Sequence, residues 1–301
     1  LTESLGELTV PPPAPSADVD SSANLVTGAR TSGPEPFIPL KIIAVTNIKG
    51  GVGKTTTAVN LAYLCAASDR PTLLWDLDPQ GAATYTLKGE GRESVPVKKL
   101  LSGKKQIPEL ILQTEYPNLD LLPADFSYRH FDVQLSERKR PTERLLRMTR
   151  PLQDHYSALF LDCAPGASLL SENVLRSADA IIVPVLPTPL SVRTLVQLRD
   201  FIVAEGWWDL KILAFFSMVD RRRSLHREVM ASTRAQFPTM LVTEVPYWSD
   251  IERMAVRRAP IPAFAPSSAA AQLYATLWAE VLASMGDRAP VTIPVAAAAT
   301  S

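Results

Sequence analysis

Six short runs of the chain are almost wholly apolar: KIIAVT (41–46), PTLLWDLD (71–78), LDLLPA (119–124), ALFLDCA (158–164), AIIVPVL (180–186) and KILAFFSMV (211–219). A strand with one wet face alternates apolar and polar residues, whereas a strand covered on both faces has no need to. These runs therefore predict the strands of a mostly parallel sheet. Between several of them the period becomes helical. TTTAVNLAYLCAAS follows the first run, and PLSVRTLVQLRDFIVAE sets Leu190, Thr194, Val196, Leu198, Phe201 and Ile202 near helical spacing. SLHREVMASTRAQF and SSAAAQLYATLWAEVLASM also read as helices, the second with Ser267 or Ser268 as its N-cap. This alternation predicts a doubly wound α/β fold, a mostly parallel sheet with helices on both faces, in one domain over 39–286.

The two ends break the pattern. Residues 1–38 are rich in Pro, Ser and Ala and carry five acids against one arginine. That composition predicts a disordered acidic tail, with a partner-binding peptide as the sharper alternative. Residues 287–301, ending VTIPVAAAATS, predict a flexible C-terminal tail. In between, composition is ordinary for a globular chain: of 301 residues, 46% are hydrophobic and 21% charged. The formal net charge is zero, so a nucleic-acid role needs a local patch. Cys65 and Cys163 lie far apart in apolar surroundings. That excludes a disulfide framework and fits a reducing cytoplasm. Three scattered histidines, His130, His155 and His226, argue against a zinc or iron–sulfur site. No apolar run has the length of a membrane span, and the N-terminal residues lack a signal-peptide pattern.

The first strand leads into NIKGGVGKTTTAVN (47–60) and then a helix. The usual phosphate loop reads G-x-x-x-x-G-K-[ST], and Ile48 stands where its first glycine falls. Gly50, Gly51 and Gly53, with Val52 among them, let backbone N–H groups converge on phosphate oxygens, and the following helix adds its positive end. Lys54 brings a charge to the β- and γ-phosphates, Thr55 a hydroxyl to Mg2+, and Thr56 a hydroxyl near the α-phosphate. Two further apolar strands end in carboxylates, LLWDLDPQG in Asp76 and Asp78 and LFLDCAPG in Asp162. Ligands of parallel sheets sit at the carboxyl ends of strands. Grouped aspartates repel one another unless a cation joins them, so the three point at one metal–triphosphate.

K-G-G-V-G-K-T-T, then D-L-D-P-Q-G, then an apolar strand ending D-x-A-P resemble the deviant Walker A, A′ and B motifs of the ParA/MinD (ParA/Soj-like) family of P-loop ATPases. The resemblance runs from about residue 41 to 285. It implies ATP and Mg2+ as cofactors and slow, partner-stimulated hydrolysis to ADP and phosphate. It further implies that Lys49 is the signature lysine, which reaches across an ATP-bound homodimer to the other subunit's phosphates. Lys54 and Thr55 would bind phosphate and metal, and Asp162 would hold Mg2+ through water. Asp78 would position the attacking water, with Asp76 ordering that switch. Pro246, in VPYWSD, matches the late Pro-x-Asn segment against adenine. Trp248 stands where asparagine is common, and its indole offers a stacking surface instead.

Two branches of that family differ in what they bind. The MinD branch ends in a basic amphipathic helix that lies on membrane. This chain ends GDRAPVTIPVAAAATS, with one arginine after residue 286 and a proline at 290, so a membrane partner is not expected. The ParA branch binds DNA without sequence preference once dimerised. Residues 221–258 carry eight arginines and four acids, a net of +4. Arginines suit phosphate contacts, which carry no sequence information. Arg257 and Arg258 are the first candidates and Arg221, Arg222 and Arg223 the next, with solvated surface charge as the alternative. The resemblance thus implies a cytoplasmic, nucleoid-associated ATPase that binds non-specific double-stranded DNA and a ParB-like or cargo-adaptor protein. It would partition a plasmid, chromosome locus or protein cargo. The 38-residue N-terminal segment is short for the helix-turn-helix domain of larger plasmid ParA proteins, so operator-specific repression is not expected. The alternatives are a MinD-like membrane-associated ATPase, a metabolic ATP-dependent enzyme on the same scaffold, and an iron–sulfur carrier. The metabolic enzyme needs a second polar cluster that the sequence does not display, and the carrier needs cysteine pairs.

Overall fold

The computed structural model describes residues 39–88, 96–103 and 105–287. The tail expected at 1–38 lies outside these residues, as does all but the first residue of that expected at 287–301. The strands are β1 (Lys41–Val45), β2 (Thr72–Asp76), β3 (Leu112–Gln113), β4 (Leu119–Leu122), β5 (Ala158–Asp162), β6 (Ala180–Val185), β7 (Lys211–Val219) and β8 (Glu244–Pro246). They form one sheet in the order β3-β4-β2-β5-β1-β6-β7-β8. β3 runs antiparallel to β4, and all other pairs are parallel. Each of the six apolar runs is a strand. The two edge strands, β3 and β8, were not visible in the sequence, because two or three residues cannot display a period.

The helices are α1 (Lys54–Ala66), α2 (Ala82–Lys88), α3 (Val97–Leu101), α4 (Phe131–Ser136), α5 (Arg144–Thr149) and α6 (Leu169–Ser177). They continue with α7 (Pro189–Ala204), α8 (Ser224–Gln236), α9 (Ser249–Arg257), α10 (Ile261–Phe264) and α11 (Ala269–Met285). Successive strand residues enter opposite layers. Ile43, Val45, Leu74, Phe160, Ile182 and Phe215 join α1, α2 and α9–α11 in one core. Ile42, Ala44, Leu73, Trp75, Leu159 and Leu161 join α3–α8 in the other. Two dry faces explain why the runs lack polar alternation.

Sequence spacing located α7, and of the six residues it picked out Ile202 is buried and Leu198 packs against the core, whereas two are exposed. Leu190 is 64% exposed and Phe201 41% exposed. The buried residues are Ser191, Leu195 and Ile202. The cause is tertiary: the start of α7 lies beside the loop after β1, where a serine hydroxyl is useful and a leucine is not. At α11, Ser268 is the N-cap and accepts from the Ala271 N–H.

β1 lies between β5 and β6, so the chain leaves it in both directions across the sheet. In register, Val45 pairs with Asp162 and Asp162 with Asp76. Three neighbouring strands therefore end at one level, at the crevice where such sheets bind ligands.

Candidate nucleotide site

The loop after β1 is fastened by Asn47. Its amide donates to the Pro184 carbonyl at 2.7 Å, and its Oδ1 accepts from the Lys49 N–H at 2.9 Å. Gly53 has φ +90°, and a Cβ there would lie 3.2 Å from Ser217 Oγ. Any side chain would be both strained and crowded, so β7 contributes to the need for glycine. Lys54 opens α1, is 6% exposed, and donates to the Lys49 carbonyl at 2.9 Å. Thr55 and Thr56 follow, half-buried, on the first helical turn. Ile48, in the place of a glycine, lines a cleft of about 580 Å³ with Leu169, Leu198 and Phe201.

The two lysines point to different places. Lys54 turns into the loop, whereas Lys49 Nζ donates to Ser191 Oγ at 3.2 Å. Ser191 is buried in the first turn of α7 and also accepts from the Thr188 hydroxyl at 3.0 Å. An ammonium at the start of a helix faces the positive end of its dipole. Its resting place is thus a weak one.

The carboxylates differ as sharply. Asp162 is fully buried, and neither of its oxygens meets a hydrogen-bond partner among the described residues. Burial, and then the Asp76 and Asp78 charges, push its pKa well up, while the Thr55 hydroxyl and Lys54 pull the other way. Asp76 is also buried, but it is satisfied: Oδ2 accepts from the Thr84 N–H and hydroxyl, both at 2.8 Å, and Oδ1 from the Asp78 N–H at 3.2 Å. Burial raises its pKa to about 6 against those hydrogen bonds. Its oxygens therefore hold the loop of Asp78 and the start of α2. Asp78 is half-buried and accepts from the Gln80 N–H at 2.9 Å. Burial lowers the pKa of Lys54, with the Asp162 charge opposing. Cys163 is buried beside Asp162, and burial pushes its thiol far up.

An orphaned carboxylate next to a threonine hydroxyl and a lysine is a hard-oxygen donor set. It fits Mg2+, which takes one or two protein ligands and fills its remaining positions with phosphate and water. Thr84 escaped the sequence reading; the signal was a hydroxyl in the first turn of the helix after D-L-D-P-Q-G.

Pro246 ends β8 opposite Val219, and Trp248 sits half-buried at the start of α9 against the α1–α11 core. The arginines are dispersed among partners. Arg221 pairs with Glu244 at 2.8 Å, and Arg222 and Arg223 reach Asp220 at 2.9 and 3.9 Å. Arg257 is exposed and enters no ion pair among the described residues. Arg258 instead lies 4.4 Å over the Tyr85 ring, with φ +50° after α9. An exposed cation–π contact contributes about 0.5–1 kcal/mol, less than the roughly 1–2 kcal/mol that a left-handed backbone costs a residue with a Cβ. Arg258→Gly should therefore gain up to about 1 kcal/mol in urea denaturation. A loss of that size would mean the Tyr85 contact outweighs the strain.

A family model described as an AAA domain matches residues 40–204, more than half of the chain. The chromosome partitioning protein ParA of Caulobacter vibrioides is 30% identical over 258 residues, covering 83% of this chain and 97% of that protein. The sporulation initiation inhibitor protein Soj of Bacillus subtilis is 31% identical over 260 residues, covering 81% and 99%. Among solved structures, cobyrinic acid a,c-diamide synthase from Mycobacterium smegmatis, bound to an ATP analogue and magnesium, superposes with a TM-score of 0.70 at 26% identity, over 85% of this chain and all of that one. No helix among the described residues is long and apolar enough to cross a membrane. The family model covers more than half of the chain and two ParA-type proteins are about 30% identical along nearly their whole length, and the chain belongs to the ParA/MinD family of P-loop partitioning or positioning ATPases.

Proposed function

We propose that this ATPase binds ATP with Mg2+, dimerises on it, and in that state holds double-stranded DNA without sequence preference while an adaptor couples it to a cargo. The observation that carries the reading is the separation of the two lysines. Lys54 is buried in its own loop, and Lys49 is weakly held outside it at α7. A phosphate that displaces the Lys49 carbonyl engages Lys54, and Lys49 is left free for a second subunit's nucleotide. Mg2+, when bound, neutralises the triphosphate and polarises its γ-phosphate. Asp162 supplies the carboxylate that holds it, and Thr55 the hydroxyl. Asp78 orients the attacking water, which is most of what in-line phosphoryl transfer asks of a protein. Asp76 and Thr84 keep the Asp78 loop in place.

The same scaffold also carries an amide synthase. The cleft beside this loop, however, mixes Ile48, Leu169, Leu198 and Phe201 with Ser168, Ser171, Glu172 and Gln197, and its lining holds no lysine, arginine or histidine to meet an acid substrate. This favours the positioning reading.

Gel shifts on unrelated duplexes test it: retention is expected with ATP and not with ADP, and equal retention in both would break the switch. Asp78→Ala should slow hydrolysis on the order of a hundredfold while ATP binding and the ATP dimer persist. Normal turnover in that variant would move the role to another carboxylate.

A further inference from the structure

A second concentration of positive charge lies away from the arginines of 221–258. Residues 138–150, RKRPTERLLRMTR, hold Arg138, Lys139, Arg140, Arg144, Arg147 and Arg150 against the single acid Glu143, a net of +5 in thirteen residues. The later segment has +4 over nearly three times the length, and the structure reduces it further. Asp220, just outside that count, takes Arg222 and Arg223, Glu244 takes Arg221 and Arg234, and Asp250 takes Arg253. In 138–150, Glu143 alone must serve both Arg147 at 2.8 Å and Arg140 at 3.7 Å.

The segment is also shaped as a receiving surface. A left-handed residue, Arg140, turns the chain into a 3-10 turn at Pro141–Glu143 that feeds α5. The Asn173 side chain of α6 fixes the junction by accepting from the Arg144 and Leu145 N–H groups. Arg144 and Arg147, one turn apart, line a cavity of about 160 Å³ together with Lys105, which also pairs with Glu109 at 2.9 Å. Nε of Arg138 and Nε of Arg144 are buried, and neither has a hydrogen-bond partner among the described residues. Both are closed off from solvent, and Arg144 also donates to the Leu101 carbonyl, so the cations of the segment that face solvent are Lys139, Arg140, Arg147 and Arg150.

We infer that this surface, built from 138–150 and Lys105, is the principal contact of the chain with the phosphate backbone of duplex DNA. The inference rests on the proposed DNA-holding function and relocates it within the molecule. Guanidinium forks on a fixed helix match phosphate oxygens, and such contacts give affinity without sequence information. A protein partner would need an apolar centre to bury, yet Leu146 is the one large apolar side chain exposed within the segment. Two copies in an ATP dimer would add their phosphate contacts.

The test uses the full chain carrying Lys139→Gln, Arg140→Gln and Arg147→Gln together, assayed on an unrelated duplex with ATP across a salt series. Each lost phosphate contact reduces the slope of log affinity against log salt by about 0.9. The expected result is a slope shallower by about three per engaged protomer and an affinity at least about tenfold weaker at fixed salt. Circular dichroism, ATP binding and ATP-dependent dimerisation should match the wild type. A comparison variant, Arg221→Gln with Arg222→Gln and Arg257→Gln, should move the slope less. A wild-type slope in the first variant overturns the inference, as does loss of retention confined to the comparison variant. If the first variant keeps the duplex but loses binding to polyglutamate, an acidic protein is the occupant and the inference also fails. A wild-type chain that does not retain duplex with ATP fails at the earlier step, and sinks the proposed function together with this surface.

Discussion

Lys54→Ala abolishes nucleotide binding, and Lys49→Ala leaves it within a few fold: this split is the largest effect expected at the site. Lys54 is buried where the strands end, and its ammonium rests on a backbone oxygen, the Lys49 carbonyl. Truncating one partner of a buried charge pair costs about 2–5 kcal/mol, roughly 30- to several-thousand-fold in affinity. Lys49→Ala keeps the carbonyl that Lys54 uses and keeps the N–H that Asn47 holds. It removes only the contact of Nζ with Ser191. The loop should therefore stay formed. What should disappear is ATP-dependent dimerisation, and with it stimulated hydrolysis. Binding of a fluorescent ATP analogue, paired with light scattering of the ATP-bound protein, measures both halves. A Lys49→Ala chain that dimerises and turns over as the wild type does would remove the cross-subunit role.

The second large effect is on stability, and its sign follows from proton binding. An unfolded aspartate loses its proton near about 3.9, whereas in the folded chain Asp76 is pushed up to about 6 and Asp162 well above its ordinary value. Between the unfolded and folded values the folded chain binds more protons. The contribution of these two groups to nucleotide-free stability is therefore full below about pH 4 and is lost as pH rises through about 6. Asp162→Asn removes the orphaned charge and should raise nucleotide-free stability near pH 7.5 by about 1–3 kcal/mol. The same variant should lose the stabilisation that MgATP gives the wild type, about 2.7 kcal/mol at a hundredfold excess over Kd. Thermal unfolding from pH 4.5 to 8, with and without MgATP, reads both effects. Wild-type stability that rises across this range would contradict the burial of an unpaired Asp162, as would an Asn variant that is less stable at pH 7.5.

Much of this was legible before any coordinates, wherever the information was local. The six central strands, the helices α1, α7, α8 and α11, the loop of Lys54 and the three aspartates at strand ends all follow from period, glycine placement and motif order. A strand buried on both faces must be apolar throughout, and a loop that brings N–H groups to phosphate must be rich in glycine. Such requirements act on neighbours in sequence and leave their mark there.

What depended on residues far apart in the chain was settled only by the fold. The three aspartates look equivalent in sequence, but Thr84 saturates Asp76 while nothing among the described residues bonds to the oxygens of Asp162. The partner of Lys49 is a serine 142 residues away, and the inner face of α7 is set by that contact as much as by apolar period. The charge count over 221–258 was sound as arithmetic, but charges act through space. Folding brings Glu244 onto Arg221 and Arg234, Asp220 and Asp250 hold arginines two and three residues on, and the cations of 138–150 are left with one carboxylate among them. Sequence by itself determined the sheet, the phosphate loop and the family; tertiary structure decided which carboxylate is left without a partner and which cations face solvent, because burial and ion pairing are properties of neighbours in space.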